Sequence, residues 1–321
     1  MRPSHRLTLS IVLLLAFIGV LIFQQPENAH VPKAIPKPVA FEANILPEAT
    51  FRPVRMLFFG DLMLGRYVRT IIDKNGADSL FQKIRQEKSY FDGYADLIIA
   101  NLEGPIVSNP IYHSSGTTFG FHQSSADIIK KSGIQLVSLA NNHTLDRGQK
   151  GLEETKKYLT DAGVEFFGDP ILPVDKDVLV KNIRGETFAF VGLHDATRRL
   201  DEKKAAELIK KYDPKVDHII VFIHWGIEYR DHPSERQQTL AHLFIDNGAD
   251  LIIGHHPHWV QTHEKYRNTD IFYSLGNFIF DQYWSDKTQH GLAVEVEWTS
   301  SGTTAVELPL SLYKSIPQWE K

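Results

Sequence analysis

Short apolar runs that stop on a polar or titratable residue recur along this chain, and no other feature narrows its fold as much. Residues 53–60 (PVRMLFFG) stop at Asp61, 95–100 (ADLIIA) at Asn101 with Glu103 beyond, 134–140 (IQLVSLA) at Asn141, Asn142 and His143, and 217–223 (DHIIVFI) at His224. Residues 250–254 (DLIIG) run into His255, His256 and His258. Runs of this length read as buried strands, and between them lie stretches with helical apolar spacing, such as GRYVRTIIDKNGADSLFQKI, TLDRGQKGLEETKKYLTDAG and DEKKAAELIKKYD. Strands that alternate with helices predict a layered α/β sheet, whose strand ends converge on one crevice. One polar strand end is ordinary turn chemistry; its recurrence predicts a site.

Other segments fill in the outline. VEFFGD, VLVKNIRGETFAFVGL with a turn at Arg184-Gly185-Glu186, DIFYSL and LAVEVEW read as further strands, the last by clean alternation. Gly133, Gly163 and Gly248 are read as helix C-caps. Residues 227–249 read as mostly helical, 111–122 as a loop or hairpin, and the tail 301–321 as one strand followed by little order. His232 and His242 have no strand-end context and are read as surface or packing residues.

The N-terminus supplies an address. Residues 1–6 carry Arg2, Arg6 and His5, and 7–23 (LTLSIVLLLAFIGVLIF) are nearly continuous apolar sequence without a charge. Such a segment is a signal peptide or a spanning signal anchor. No clear small-x-small cleavage site follows, which favours an uncleaved anchor, with the arginine flank in the cytoplasm and the rest outside. If the signal were cleaved, the chain would be secreted. Residues 24–52 contain five prolines and no sustained periodicity, the composition of a semi-rigid spacer. The folded domain is therefore expected over 53–300. A net charge of -4 with both signs dispersed excludes a whole-protein basic field for nucleic acid, and the absence of cysteine excludes disulfides and thiolate metal sites.

Carboxylates, an amide oxygen and imidazoles without thiolate suit a hard-to-borderline divalent metal such as Mn, Fe or Zn. Alternation along an extended chain would aim His256 and His258 to the same side and leave His255 facing outward or supporting them. The donors Asp61, Glu103, Asn142, His224, His256 and His258 suffice for one or two ions.

The segments GDLMLGR, ANLEGPI, SLANNHTLDRGQKGL, HWGIEY, GHHPHWVQ and YSLGNF, in this order, resemble the capsule-synthesis CapA family, also called the poly-γ-glutamate biosynthesis protein family, which is related to the calcineurin-like metallophosphoesterases. The resemblance spans about residues 54–282 and implies a four-layer α/β sandwich with a metal site at strand ends. It makes Asp61 the first-motif metal ligand, Glu103 a bridging carboxylate, Asn142 the amide ligand, His143 the catalytic histidine, and His224, His256 and His258 the imidazole ligands. Asp146 would orient His143 or simply favour a helix N-terminus. Asn277 and Glu228 stand as supporting groups or as turn and surface residues. Two departures are visible: Met63 stands where the phosphoesterase first motif has histidine, and Glu103 where the second has aspartate. The expectation is a membrane-anchored, extracytoplasmic, metal-dependent hydrolase of phosphoesters or of a polymer bond. The alternative is a non-catalytic scaffold or export subunit of an envelope polymer synthase that keeps the metal fold. The alternative implies partner subunits of a polymer synthase or export complex.

Overall fold

The computed structural model describes residues 52–320 apart from 88 and 113–115. The apolar segment 7–23, and the 24–52 spacer except its last residue, lie outside the described residues. Among the described residues no helix is long and apolar enough to cross a membrane.

In chain order the strands are β1 (Val54–Leu62), β2 (Leu97–Leu102), β3 (Ile106–Val107), β4 (Phe121–His122), β5 (Leu136–Ser138), β6 (Glu165–Phe167), β7 (Leu179–Ile183), β8 (Glu186–Asp195), β9 (His218–Trp225), β10 (Leu251–His255), β11 (His263–Tyr266), β12 (Thr269–Phe272), β13 (Asn277–Ile279), β14 (His290–Thr299), β15 (Gly302–Tyr313) and β16 (Ile316–Trp319). The helices are α1 (Arg66–Asn75), α2 (Gln82–Glu87), α3 (Ser125–Ser132), α4 (Gly148–Ala162), α5 (Glu202–Tyr212) and α6 (Glu235–Ile245). One sheet runs β16-β15-β14-β1-β2-β5-β6, with β13 pairing the far end of β1; a second runs β11-β12-β10-β9-β8-β7. Strands β1, β2, β5 and β6 of the first sheet are parallel, as are β8, β9, β10 and β12 of the second. Parallel neighbours bring their carboxyl ends to one edge, which is what the strand-end pattern requires.

Side-chain alternation divides the core. Met56 and Phe58 of β1 join Phe167, Phe188, Phe222, Leu251 and Trp298 between the two sheets. Leu57 and Phe59 point the other way, into a cluster with Val68 of α1, Ile129 of α3 and Leu152 of α4. On the far side of the second sheet, Val191 and Ile223 pack with Leu208 of α5 and with Leu240 and Phe244 of α6. The inter-sheet core is rich in rings: Phe58 and Phe222 lie 5.8 Å apart, and Phe188 meets Trp298 edge-on at 5.1 Å. At the β6 and β8 margin the sheets nearly touch, since a Cβ on Gly192 would lie 2.6 Å from the Gly168 Cα.

Two expectations change here, and one strand was not foreseen. The tail from 301 onward is not loose: β15 pairs with β14 along its length, and β16 folds back on β15 through a turn at Lys314 and Ser315, both at positive φ. Trp319 is buried and donates Nε1–H to the Ile84 carbonyl at 2.9 Å. Residues 227–234 are not helical; α6 starts at Glu235, after Ser234 and Gln237 cap each other reciprocally. Pro233 disfavours helical backbone at the residue before it, which explains the late start. The edge strand β11 alternates exposed and half-buried polar residues and carried no apolar signal to read.

Candidate functional site

Strand register lines up two rows of polar residues. Across the first sheet Asn277, Asp61, Asn101 and Ser138 are successive partners on β13, β1, β2 and β5. Across the second, His194, His224 and His255 are partners on β8, β9 and β10. Pairing irregularities flank Asp61 on both neighbours, a local break of the kind that re-aims a side chain. The rows meet: Asn101 Nδ2 lies 2.8 Å from Asp61 Oδ1 and 3.2 Å from His224 Nδ1.

Asp61, Glu103 and His258 bring ligand atoms to within 4.8 Å of one another, all three buried. His258 Nδ1 lies 3.0 Å from Asn277 Oδ1 and 3.4 Å from Asp61 Oδ2, and its Nε2 lies 3.8 Å from Glu103 Oε1. Both carboxylate oxygens of Glu103 are buried without a hydrogen-bond partner, and so is Asn142 Oδ1. Unpartnered buried acceptors of this kind are costly, and a cation at Glu103 would satisfy its two oxygens. Burial, followed by the charges of Asp61 and Glu228, pushes the Glu103 carboxyl well above its usual range. Burial also opposes ionisation of Asp61, but the nearby His258, the His255 charge and the Asn101 amide outweigh it and hold its pKa low. Thus the pair is strained without a cation, and the donor set fits a divalent metal.

His224 and His256 form a second cluster, with His256 Nδ1 3.1 Å from His224 Nε2. Burial lowers both, His224 strongly and His256 to about 3, with neighbouring imidazoles adding to the effect. Neutral imidazole is the form that binds metal. The backbone differs from the extended chain assumed from alternation. Strand β10 ends at His255, and His256 and His258 follow with φ of 98° and 58°. Positive φ at two non-glycine residues costs energy, of a kind often stored at functional sites. His255 does not face outward. It is buried between the sheets, stacked on Phe222 at 5.3 Å with Nε2 3.3 Å from the Phe59 carbonyl.

His143 sits beyond β5 in a turn built by Asn141, whose Oδ1 accepts from the His143 and Thr144 amides while Nδ2 reaches Asn101 Oδ1 and the Leu102 carbonyl. Its Nδ1 lies 2.8 Å from Asp146 Oδ2, which also accepts from the Phe119 amide at 2.6 Å. That leaves His143 Nε2 turned toward Glu103, 3.7 Å away, and the ring against Phe119. Met63 contributes no donor to the cluster. It is fully buried in the apolar core, and its sulfur accepts from the Gly65 amide at 3.1 Å.

A cleft of about 250 Å³ opens over His143 and His258 and is walled by Arg66, Glu228, Tyr229 and Asp281. The structure therefore brings Asp61, Glu103, Asn142, His143, Asp146, His224, His256 and His258 to one strand-end edge. Reading the sequence named Asn101 and Asn141 only as strand ends, without a role in the site, and passed over His194. The first two precede residues that were singled out, and His194 closes β8 by the same strand-end rule that found the others. His232 is exposed and His242 bonds Glu264 at 2.7 Å, away from the site.

Residues 55–282 match the family model described as "Bacterial capsule synthesis protein PGA_cap". The chain belongs to this family. It is 32% identical over 286 residues to the capsule biosynthesis protein CapA of Bacillus anthracis, covering 82% of this chain and 68% of that protein. It is 31% identical to the PGA biosynthesis protein CapA of Bacillus subtilis (strain 168), with 81% and 72% covered. A probable polyglutamine synthesis accessory protein of Mycobacterium tuberculosis is 23% identical over 71% of this chain and 74% of its own length. Among solved structures, a hypothetical protein from Thermus thermophilus superposes with a TM-score of 0.53 and 16% identity, covering 84% of this chain and all of that one, a likeness of fold.

Proposed function

We propose that this capsule-family chain is a membrane-anchored, extracytoplasmic metal-dependent hydrolase that acts within an envelope polymer synthase. In this reading its two sheets and flanking helices form the four-layer sandwich of the metallophosphoesterase type. The observation that carries it is Glu103, whose two buried and unpartnered carboxylate oxygens lie beside Asp61 and His258. Asp61, Glu103 and His258 would hold one Mn, Fe or Zn ion, and His224, His256 and Asn142 would be the donors for a second. When bound, such an ion polarises a substrate oxygen and lowers the pKa of water.

The chain's own residues supply the rest. Asp146 accepts from His143 Nδ1, so the Nε2 of His143 faces the cleft and can pass a proton to a leaving oxygen or nitrogen, a role typically worth about 10²–10⁴-fold. Asn277 holds His258 and Asn101 holds Asp61, fixing both rotamers before substrate arrives. The names of the related proteins support a role in making or handling a capsular polymer. Met63 favours the second reading, a scaffold or export subunit without turnover, because a thioether packed into the core replaces a first-motif donor.

Metal analysis of the full-length protein, with a screen of phosphoesters and γ-glutamyl substrates, decides between them. Under the hydrolase reading, metal is bound, and His143→Ala abolishes turnover with metal and fold retained while His256→Ala loses metal as well. Protein that carries no metal and turns over equally well with or without these side chains would sink the proposal.

A further inference from the structure

The cleft over His143 and His258 holds about 250 Å³, at the small end of ligand sites. One group on its wall has no task in the chemistry proposed above. Glu228 lines the cleft, half-buried, together with Tyr229 and Trp284. Its charge reaches inward, since after burial and Asp61 it is what pushes the Glu103 carboxyl up. It also lies beside the Tyr229 hydroxyl, which burial and then the Glu228 charge raise above its usual range.

No cation of the chain answers this carboxylate. Among the described residues Glu228 forms no ion pair. Arg66, the cation in the same wall, is fully engaged, with Nε and one terminal nitrogen on Asp281 and the other on the Gly116 carbonyl. Lys287 is paired with Asp231, and Arg230 lines a separate depression. Asp61 and Glu103 balance a divalent ion, so Glu228 is the surplus negative charge of the cleft. A carboxylate there repels an anionic phosphoester unless the substrate brings a cation of its own.

The aromatic neighbours fit such a cation. Trp284 is 61% exposed and meets the Tyr229 ring at 88° with centroids 4.5 Å apart, so the indole stands as a flat wall at the cleft. Aromatic faces beside a carboxylate attract an ammonium group through the ring quadrupole and the charge together. Tyr229 is held in place, its amide donating to the Pro257 carbonyl at 2.9 Å and its hydroxyl accepting from Gln282 Nε2 at 3.2 Å. On its inner side the ring stacks on His258 at 6.0 Å, which sets the corner one ring away from the candidate metal donors.

We infer that Glu228, with the Trp284 and Tyr229 rings, is a cation subsite, and that the ester taken by this cleft carries an ammonium group a short spacer away from its phosphate. This rests on the cleft being the reaction site, as proposed above. The phosphate end lies toward His143 and the ammonium end toward Glu228, so an ester with a neutral or acidic group at that end is discriminated against.

The test titrates full-length protein, with and without Mn²⁺, with choline phosphate and with 3,3-dimethylbutyl phosphate, the same ester with carbon in place of the ammonium nitrogen. Choline phosphate is expected to bind roughly tenfold tighter, Glu228→Gln to cut that preference to about twofold, and Trp284→Ala to lower it by a smaller factor. Reading the ratio within each variant cancels any change in metal loading or phosphate affinity that the substitution brings. Equal affinity for the two phosphates, or a preference that survives Glu228→Gln undiminished, would overturn the subsite. Given the preference, phosphatidylcholine vesicles that displace choline phosphate assign the subsite to a lipid headgroup, and vesicles that fail to displace it assign it to a soluble ester. Turnover of the p-nitrophenyl esters of both phosphates is the separate arm. A choline preference without turnover removes the hydrolysis proposed above and keeps the subsite, whereas turnover without the preference does the reverse.

Discussion

At the scale of single residues, the site is a set of unmet demands held in place by met ones. Asp61, Asn101, Asn141 and Asn277 are saturated with hydrogen bonds, whereas Glu103 is buried with none. Its folded pKa lies above the ordinary 4.5, so the native state binds more protons than the unfolded chain between those values. Metal-free protein therefore loses stability as pH rises through that window. Glu103→Gln should remove this slope, stabilising chelator-treated protein at pH 8 by on the order of 2 kcal/mol, with a smaller gain at pH 5. In the presence of Mn²⁺ the order reverses, because the unsubstituted protein gains stability from the ion and the variant does not. Thermal melts of both proteins at the two pH values, with and without metal, check this; a variant that melts no higher than the unsubstituted protein in chelator contradicts it. The residue types of this cluster were readable from strand ends. What was not readable was orientation: His255, the last residue of β10, shares the side of Ile253 that faces the inter-sheet core, and His256 and His258 leave the extended geometry that alternation assumed.

At the scale of elements, β10 shows how little room the site has. Gly254 lies so close to the chain leaving β12 that a Cβ there would sit 2.1 Å from the Tyr273 carbonyl oxygen and 2.6 Å from the Trp225 indole nitrogen. Backbone cannot yield as a flexible side chain would. Gly254→Ala is expected to cost about 3 kcal/mol, read from the denaturant midpoint, and to lower metal affinity as β10 shifts. Stability within about 0.5 kcal/mol of the unsubstituted protein would show that the strands can separate. Elements with strong apolar signals, such as β1, β2, β9 and α5, were legible because burial on one or both faces writes a pattern into the sequence. The start of α6 was legible too, in the Ser234-x-x-Gln237 spacing of a capping box, but helical periodicity masked it.

At the scale of the whole molecule, the last twenty residues matter more than their composition suggests. Leu310, Leu312 and Trp319, on two strands of the first sheet, are buried, and Trp319 also closes onto the carbonyl of Ile84 in α2. Trp319→Ala should cost about 3–5 kcal/mol, and a chain ending at Ser300 should fail to fold, because β14 would lose the partner it pairs with along ten residues. Soluble, metal-binding protein from that truncation, judged by circular dichroism and metal content, would show that the two strands are dispensable. Their half-exposed, weakly alternating pattern, with Pro309 inside β15, is why the sequence reads there as a tail. Fold class and most donors of the candidate site were therefore legible, since parallel strand ends are local signals, whereas the pairing of the two rows depends on contacts between segments far apart in the chain.

That distance sets an order of events. Asp61 and the backbone of His256 are 195 positions apart yet within hydrogen-bonding reach, and each of the two rows comes from a different sheet. No short stretch of the nascent chain holds the donors of the Asp61, Glu103 and His258 cluster, so closure of a loop spanning most of the domain must precede capture of an ion. A metal taken up by this site is therefore chosen by the folded domain and not by any segment of the nascent chain.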